Sequence, residues 1–535
     1  MVMDPGGPCD LSDHLELGRV SRPQLPLGGP CPRQHRPFGS SAAHRASFAR
    51  PSFFAKVRLA RRASMAFSSL LFLTLFLPLY VVAYWASPRA MRNATLLVLS
   101  ILFYAWGAPW FLPVVLALGV IDYYLALAID KHRGQRSARW LVAFAVTMHL
   151  SILVYFKYSN FFVDEVGALF AKLGVARSIH WEKVALPIGV SFLTFEEISY
   201  VVDVYRGSAK PSRSIRQYLL FLMLFPHSIA GPIFRWKDLE SQLGSRNEGL
   251  DDVVAGLSRF TWGLSKKILI ADAAAITADA AFSHAPSEIS MRVAWLGAVA
   301  YAIQIFYDFS GYSDMAIGLG RIAGFKFKEN FNDPYVSANI TEFWTRWHMS
   351  LSSWLRDYLY IPLGGNRRGE FRTRINVLIV FALSGLWHGS AWTFVLWGLY
   401  HGVLSVFERT TVGKLWRERT PRVIAVPVTF ILATIGWVFF RAADSEQAFA
   451  FIKAMLGLVS APPVAKMVDA ALIPHRSAAW MCLGLTFIVA RAVFRRPREG
   501  SRWQWVYVAG APVLLLLSLL QVVNTKFVPL IYFKF

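Results

Sequence analysis

From residue 67 onward, apolar residues run in blocks close to the roughly 20 residues that cross a bilayer, and charged residues collect between the blocks. The blocks lie near 67–86, 92–107, 109–129, 139–156, 184–204, 216–234, 254–282, 292–324, 375–402, 422–440, 477–494 and 504–524. They are long and do not alternate as barrel strands do, and closed backbone hydrogen bonding in lipid then leaves helices. The pattern predicts an all-α polytopic membrane protein with no large soluble domain. The 292–324 block is expected in two pieces, and 375–402 with a break near Ser390. Amphipathic stretches at 160–173 and 445–458 are expected to lie along the membrane interface.

The first 64 residues break the pattern. They hold Pro, Gly, Ser and Arg, carry ten Lys or Arg against four Asp or Glu, and lack a compact apolar run of signal-peptide type. Loop charge bears on this boundary. The link after the first block carries Arg89 and Arg92, and the one after the third carries Lys131, Arg133, Arg136 and Arg139. The link after the fourth carries Asp164 and Glu165. Positive loops stay inside, so the first helix should begin outside, which a basic tail would oppose. The expectation is a boundary at Met65: residues 1–64 are a disordered extension or a misassigned upstream start, and 65–535 form the membrane domain.

Composition agrees with the pattern: 55% of residues are hydrophobic and the mean hydropathy is +0.41. A net charge of +23 would suggest nucleic acid in a soluble protein. Here the basic residues sit in short connections, and Trp354-Leu-Arg-Asp-Tyr358 reads as interfacial anchoring, so no nucleic-acid partner is expected. Cys9, Cys31 and Cys482 form no CxxC or His/Cys cluster, which supports neither a disulfide framework nor a thiolate site. H-E-x-x-H, G-x-S-x-G and Walker-type motifs are absent from the sequence; no metal is expected. The most polar part of the body, 325–374, carries Lys326, Lys328, Arg346, Arg356, Arg367, Arg368, Arg372 and Arg374. It should face the cytoplasm and partly re-enter the membrane.

Two histidines carry the candidate chemistry. His388 interrupts Val377–Trp397, which contains no Asp, Glu, Lys or Arg; an ionisable group at that depth is costly and usually faces a cavity or pathway. Gly385 and Gly389 flank it at a spacing that permits close backbone approach, and Trp387 stands ready to exclude water. His348 lies in Arg346-Trp-His-Met-Ser-Leu-Ser352, where Trp344, Trp347, His348, Leu351 and Leu355 follow helical spacing. His149, His227 and His401 read as structural. In Tyr307–Gly318, Asp308, Ser310, Tyr312, Ser313 and Asp314 read mainly as polar glue between helices, with Gly311 and Gly318 allowing close packing; a proton pathway is the alternative.

Taken together, several blocks resemble the membrane-bound O-acyltransferase (MBOAT) family, bacterial alginate O-acetyltransferase type. They include Leu186-Pro-Ile-Gly-Val-Ser-Phe192, Ile198-Ser-Tyr-Val-Val-Asp-Val-Tyr-Arg206, Phe225-Pro-His-Ser-Ile-Ala-Gly-Pro232, Tyr307–Gly318, Phe331-Asn-Asp-Pro-Tyr335, Phe343–Gly365, Gly385-Leu-Trp-His-Gly389 and Ile531-Tyr-Phe-Lys-Phe535. The resemblance runs from about Met65 to Phe535. His227-Ser228 departs from it, standing where relatives often have a longer polar residue and an aliphatic one.

The resemblance implies a ring of about 11–13 transmembrane or re-entrant helices around a thinned central tunnel. It makes His388 the active-site histidine and His348 the second one. Trp387, Asp314, Arg346, Arg367 and Arg368 complete the expected substrate-binding set; from their charge, the basic residues at 367–374 are expected to attract the phosphates of acetyl-CoA. A buried imidazole is held neutral, ready to take the acceptor's proton. The implied function is O-acetylation of an exported polysaccharide, alginate-like first, from a cytoplasmic acetyl-CoA donor, with periplasmic or membrane partner proteins at a bacterial inner membrane. No cofactor is implied. Acylation of peptidoglycan or cellulose, D-alanylation of teichoic acid and, from another class, a polymer-precursor transporter remain as alternatives.

Overall fold

A computed structural model describes residues 66–174, 180–229, 231–459, 475–493, 503–524 and 529–530. The expected boundary at Met65, the extension before it and the Ile531–Phe535 end lie outside the described residues. Among those described, every regular element is helical. A π-helical turn, Phe72–Phe76, leads into α1 (Leu77–Ala86). There follow α2 (Arg92–Gly107), α3 (Leu112–Lys131), α4 (Arg136–Lys172), α5 (Val190–Arg206), α6 (Ile215–Met223) and α7 (Trp236–Gly244). α8 (Leu250–Ser265) continues through a π-helical turn, Lys266–Ala271, into α9 (Asp272–Ser283). Then come α10 (Met291–Ile322), α11 (Ile340–Arg346), α12 (Met349–Leu355), α13 (Gly369–His388) and α14 (Trp392–Phe407). The chain continues with α15 (Thr411–Arg419), α16 (Arg422–Arg441), α17 (Ser445–Met455), α18 (His475–Val493) and α19 (Trp503–Asn524).

Among the described residues, six helices are long and apolar enough to cross a membrane: α2 together with the helical turn before it (Arg89–Gly107), α3, α4, α10, α16 and α19. This is fewer than the twelve apolar blocks, because the remaining blocks are short, broken or charged; α5, for example, buries Glu196, Glu197 and Asp203. The chain is thus a multi-pass membrane protein. Its helices differ in what they face. The apolar window of α10 is 83% buried inside the protein and that of α19 only 11%, so α10 is the central element and α19 offers its sides to lipid.

Three expectations need correction. The 292–324 block is one helix, not two: its glycines serve packing rather than a break. The 160–173 stretch is the last part of α4, which at 37 residues is about 55 Å long and must project beyond a roughly 30 Å hydrocarbon core. The 216–234 block is not a span: α6 ends at Met223, and Pro226, Gly231 and Pro232 keep the following residues irregular. Irregular backbone is tolerated at membrane depth only where protein satisfies it. Here the amide of Phe225 donates to Ser100 Oγ (3.1 Å), that of Ile233 to Ser350 Oγ (3.0 Å) and that of Phe234 to Glu196 Oε1 (3.3 Å). The break expected near Ser390 is present between α13 and α14.

α10 packs along α8 by backbone contact. A Cβ at Gly263 would lie 2.5 Å from the Gly311 carbonyl oxygen, and one at Gly311 would lie 2.7 Å from that of Gly263. Gly256 and Gly318 repeat the arrangement at 2.7 and 2.5 Å. Close approach of this kind replaces the hydrophobic drive that is missing between helices in lipid. The role read for Gly311 and Gly318 is therefore what the structure shows. Overpacking such a crossing costs about 1–3 kcal/mol. Gly311→Leu is therefore expected to lower membrane abundance and the thermal midpoint in detergent. Gly167→Leu, with nothing within 4 Å of its Cβ position, should leave both near wild type. Equal midpoints for the two variants would contradict this packing.

Candidate active site

α13 ends at His388 because Gly389 follows in extended conformation (φ −160°, ψ 156°). The neighbouring glycines set what lies beside that end. A Cβ at Gly385 would run into the carbonyl of Phe394, and one at Gly389 into the Phe394 ring. Gly398, on α14, stands in the same relation to the carbonyl of Phe381. α13 and α14 are thus held backbone to backbone on either side of the break, and His388 is fixed at their junction. The carbonyl of Leu386 accepts from the Tyr158 hydroxyl (2.6 Å), and that of Trp387 from Lys157 Nζ.

His348 does not lie inside a helix, contrary to its spacing. α11 stops at Arg346, His348 takes a left-handed conformation (φ 45°, ψ 55°), and α12 starts at Met349. A non-glycine residue there is strained and persists only when its surroundings hold it. The holding contacts come from residues 330–332. The Asn332 amide donates to the carbonyl of Arg346, and the Met349 amide to that of Asn330, both at 2.9 Å. Asn330 Oδ1 accepts from the Ser350 amide (3.2 Å) and hydroxyl (2.9 Å), and lies 3.2 Å from His348 Nδ1. Asn330 Nδ2 donates to Ser313 Oγ on α10 (3.2 Å). Asn330 is fully buried and ties His348 to the central helix; nothing local in its sequence singles it out.

The two imidazoles face one site, with ring centroids 6.5 Å apart and planes at 59°. Both side chains are buried. Their walls are aromatic. His348 meets Phe309 edge to face at 4.7 Å, and His388 meets Trp397 at 5.1 Å and Phe440 at 5.3 Å. Trp387 lies 6.4 Å from His348 and 5.0 Å from His388 by ring centroids, and stacks on Phe195, which in turn stacks on Trp354. The apolar interior forms two clusters, one holding Phe195, Trp354 and Trp387 and the other Phe309, Trp397 and Phe440. The histidines stand where they meet.

The remaining expected residues are not at this pair. Asp314 is engaged by Arg259 (2.5 and 2.8 Å) and by Lys266 (2.5 Å), an ion-pair group binding α10 to α8. Asp308 likewise pairs with Lys267 (2.8 Å). Arg346 pairs with Glu342 (2.7 Å). Arg367 and Arg368 precede α13 at its other end, about 30 Å of helix from His388. Nearer the polar segment, Arg235 pairs with Asp357 (2.7 Å), and Arg206 and Arg235 both lie over the Tyr358 ring. Burial favours the neutral acid at Asp357, but hydrogen bonds and charge from Arg356 and Arg235 outweigh it and hold the carboxyl below its usual range.

The other histidines have partners that sequence spacing does not reveal, because they sit on separate helices. His149 on α4 lies between Asp122 of α3 (2.9 Å from Nε2) and Glu197 of α5 (3.1 Å from Nδ1). These three groups could hold a metal ion, yet each ring nitrogen already faces its own carboxylate, the arrangement of a hydrogen-bonded charge bridge. His227 Nδ1 lies 3.0 Å from Glu196 Oε1. His401 packs against Trp344 and Trp397.

Comparison with known proteins gives the family. Residues 139–443, which include α13, α14 and both histidines, match the membrane-bound O-acyltransferase family. A probable alginate O-acetylase, AlgI, of Azotobacter vinelandii is 46% identical over 393 residues, covering 73% of this chain and 78% of that protein. One from Pseudomonas putida is 40% identical over 497 residues, covering 88% of this chain and all of that protein. A peptidoglycan O-acetyltransferase of Helicobacter pylori is 34% identical over 430 residues, covering 74% and 80%. The chain is a member of the membrane-bound O-acyltransferase family and a membrane O-acyltransferase.

Proposed function

We propose that this acyltransferase moves an acetyl group from acetyl-CoA at the cytoplasmic face to a hydroxyl serving an exported polysaccharide, alginate-like first, in a bacterial inner membrane. One observation carries the reading: in an O-acyltransferase, two imidazoles meet 6.5 Å apart inside an aromatic, buried wall. That separation lets one reacting group touch both rings. His388 takes the proton of the acceptor hydroxyl as its oxygen attacks the thioester carbon. The tetrahedral intermediate collapses with cleavage of the carbon–sulfur bond, and the proton passes to the departing thiolate, giving CoA thiol and ester. His348, tethered by Asn330, positions the thioester or relays that proton. The direct acceptor is the glycan or a hydroxyl on a periplasmic or membrane partner that finishes transfer. The relatives at 40% and 46% identity, both probable alginate O-acetylases, favour this acceptor class over peptidoglycan, whose acetyltransferase is 34% identical.

Removing a general base costs about 10²–10⁴-fold in rate. His388→Gln, which keeps polarity and approximate size, is expected to reach normal membrane abundance and to leave exported polysaccharide almost unacetylated. Acetyl groups counted on polymer from a strain carrying only that variant give the answer; near-normal acetylation removes His388 from the chemistry. His348→Ala is expected to cut turnover by about 10²-fold while leaving measurable activity. Asn330→Leu should reproduce most of that loss, since it frees the His348 ring without deleting it. Wild-type turnover in a folded Asn330→Leu protein would mean that the tether is dispensable. The polar segment 325–374 is proposed as the donor entrance. A cysteine at position 368 should therefore resist a membrane-impermeant maleimide in intact cells and react in permeabilised ones; strong labelling of intact cells reverses this topology.

A further inference from the structure

We infer that Lys157, on α4, is a positioning residue of the acyl-transfer site: its Nζ holds the end of the His388 helix and, when protonated, sets a positive charge beside the reacting centre. The inference rests on the proposed role of His388.

The argument starts from the end of α13. The last carbonyls of a helix have no partner within it, and at membrane depth only protein groups can supply one. Gly389 donates to Gly385 at a long 3.4 Å. The carbonyls of Leu386 and Trp387 are met by two consecutive side chains of α4, Tyr158 and Lys157. Both of these side chains are buried. The carbonyl that Lys157 takes belongs to the residue immediately before His388, so the contact fixes the peptide from which the imidazole projects. The lysine also lies 5.7 Å from the centroid of the Trp387 ring, the same ring that faces both histidines.

Capping alone does not explain the choice of lysine. Tyr158 caps the neighbouring carbonyl with a neutral hydroxyl, at no cost in buried charge. An ammonium group inside a membrane protein is expensive and as a rule pairs with an acid. Among the described ion pairs, none joins Lys157 to a carboxylate, whereas buried Lys267 pairs with both Asp272 and Asp308. What compensates Lys157 is the negative end of the α13 dipole and the Trp387 indole face. Acyl transfer from a thioester develops negative charge on the carbonyl oxygen and then on the leaving sulfur. A preorganised cation in a dry site stabilises such charge more than it stabilises the neutral reactants. A lysine left without an acid is free to do this; one paired with an acid is not.

The test uses the full-length protein purified in detergent, with acetyl-CoA turnover followed by thiol release. Lys157→Arg keeps charge and donor, Lys157→Gln keeps a donor alone, and Lys157→Met keeps neither. Tyr158→Phe removes the neighbouring cap without touching the charge. Lys157→Gln and Lys157→Met are expected to lower kcat about 10²-fold with KM for acetyl-CoA changed less than about 3-fold, as for an interaction stronger in the transition state. Lys157→Arg should recover most of kcat, and Tyr158→Phe should retain it. If Lys157→Gln keeps wild-type kcat, the lysine is only a cap and the inference fails. If Lys157→Met does not fold, the Gln and Arg pair still decides. The reaction of His388 with diethyl pyrocarbonate, read by mass spectrometry, gives a second readout that needs no turnover: its rate should change in Lys157→Met and Lys157→Gln, and an unchanged rate in both counts against positioning. His388→Gln, run in parallel, separates the two levels. Loss of turnover in His388→Gln with full turnover in Lys157→Gln overturns the lysine inference alone, while full turnover in His388→Gln overturns the reading of the site.

Discussion

An α-helix that stops inside a membrane protein leaves carbonyl groups that lipid cannot satisfy, and the fold around His388 follows from meeting that demand. α13 has to end there for the imidazole to sit at a junction rather than on a helix flank. Ending it requires α14 to approach at backbone distance, which Gly385, Gly389 and Gly398 allow by having no Cβ. It also requires donors for Leu386 and Trp387, which α4 supplies. The next helix, α14, and α4, from a distant part of the sequence, are thereby fixed to the end of α13. The second histidine obeys the same constraint differently: the turn at Trp347–His348 is satisfied by pairing with residues 330–332 and by the Asn330 side chain.

The two halves of the site draw on different sources of stability. α8 and α10 cross through glycine carbonyls and are laced by Asp314 with Arg259 and Lys266, and Asp308 with Lys267. Breaking either pair would strand a buried charge, so this crossing is rigid in a way that apolar contact alone would not make it. The histidines instead stand among tryptophan and phenylalanine rings. Such walls exclude water, which strengthens every charge interaction inside; in the proposed reaction they would also keep the thioester from being hydrolysed before its acceptor arrives. A stiff ionic crossing beside a dry aromatic site suits a reaction in which small displacements of the base are costly.

What could be read in the sequence was what depends on local pattern. The break near Ser390, the close packing at Gly311 and Gly318, and the isolation of His388 all follow from single stretches of chain. Features set by pairing between distant stretches were hidden. The spacing of Trp344, Trp347, Leu351 and Leu355 is helical on both sides of His348, so it cannot show the left-handed turn between them. The polar residues of 292–324 interrupt its apolar run, and only their partners on α8 and the turn after it show that the helix runs through unbroken. Pro226 and Pro232 signalled irregular chain in 216–234, but apolar content outweighed them. Asn330 and Lys157 are single polar residues whose importance appears only through their partners, and Asp122, His149 and Glu197 come from three helices.

The central claim is that acyl transfer takes place between His348 and His388. A cryo-electron-microscopy structure with a non-transferable acetyl-CoA analogue, its thioester sulfur replaced by methylene, addresses it directly. The account predicts the acyl carbonyl lodged between the two imidazoles, against Trp387, with the nucleotide end toward the polar segment 325–374. An analogue seated with its acyl group against other residues, and the two imidazoles left out of contact with it, would contradict the claim.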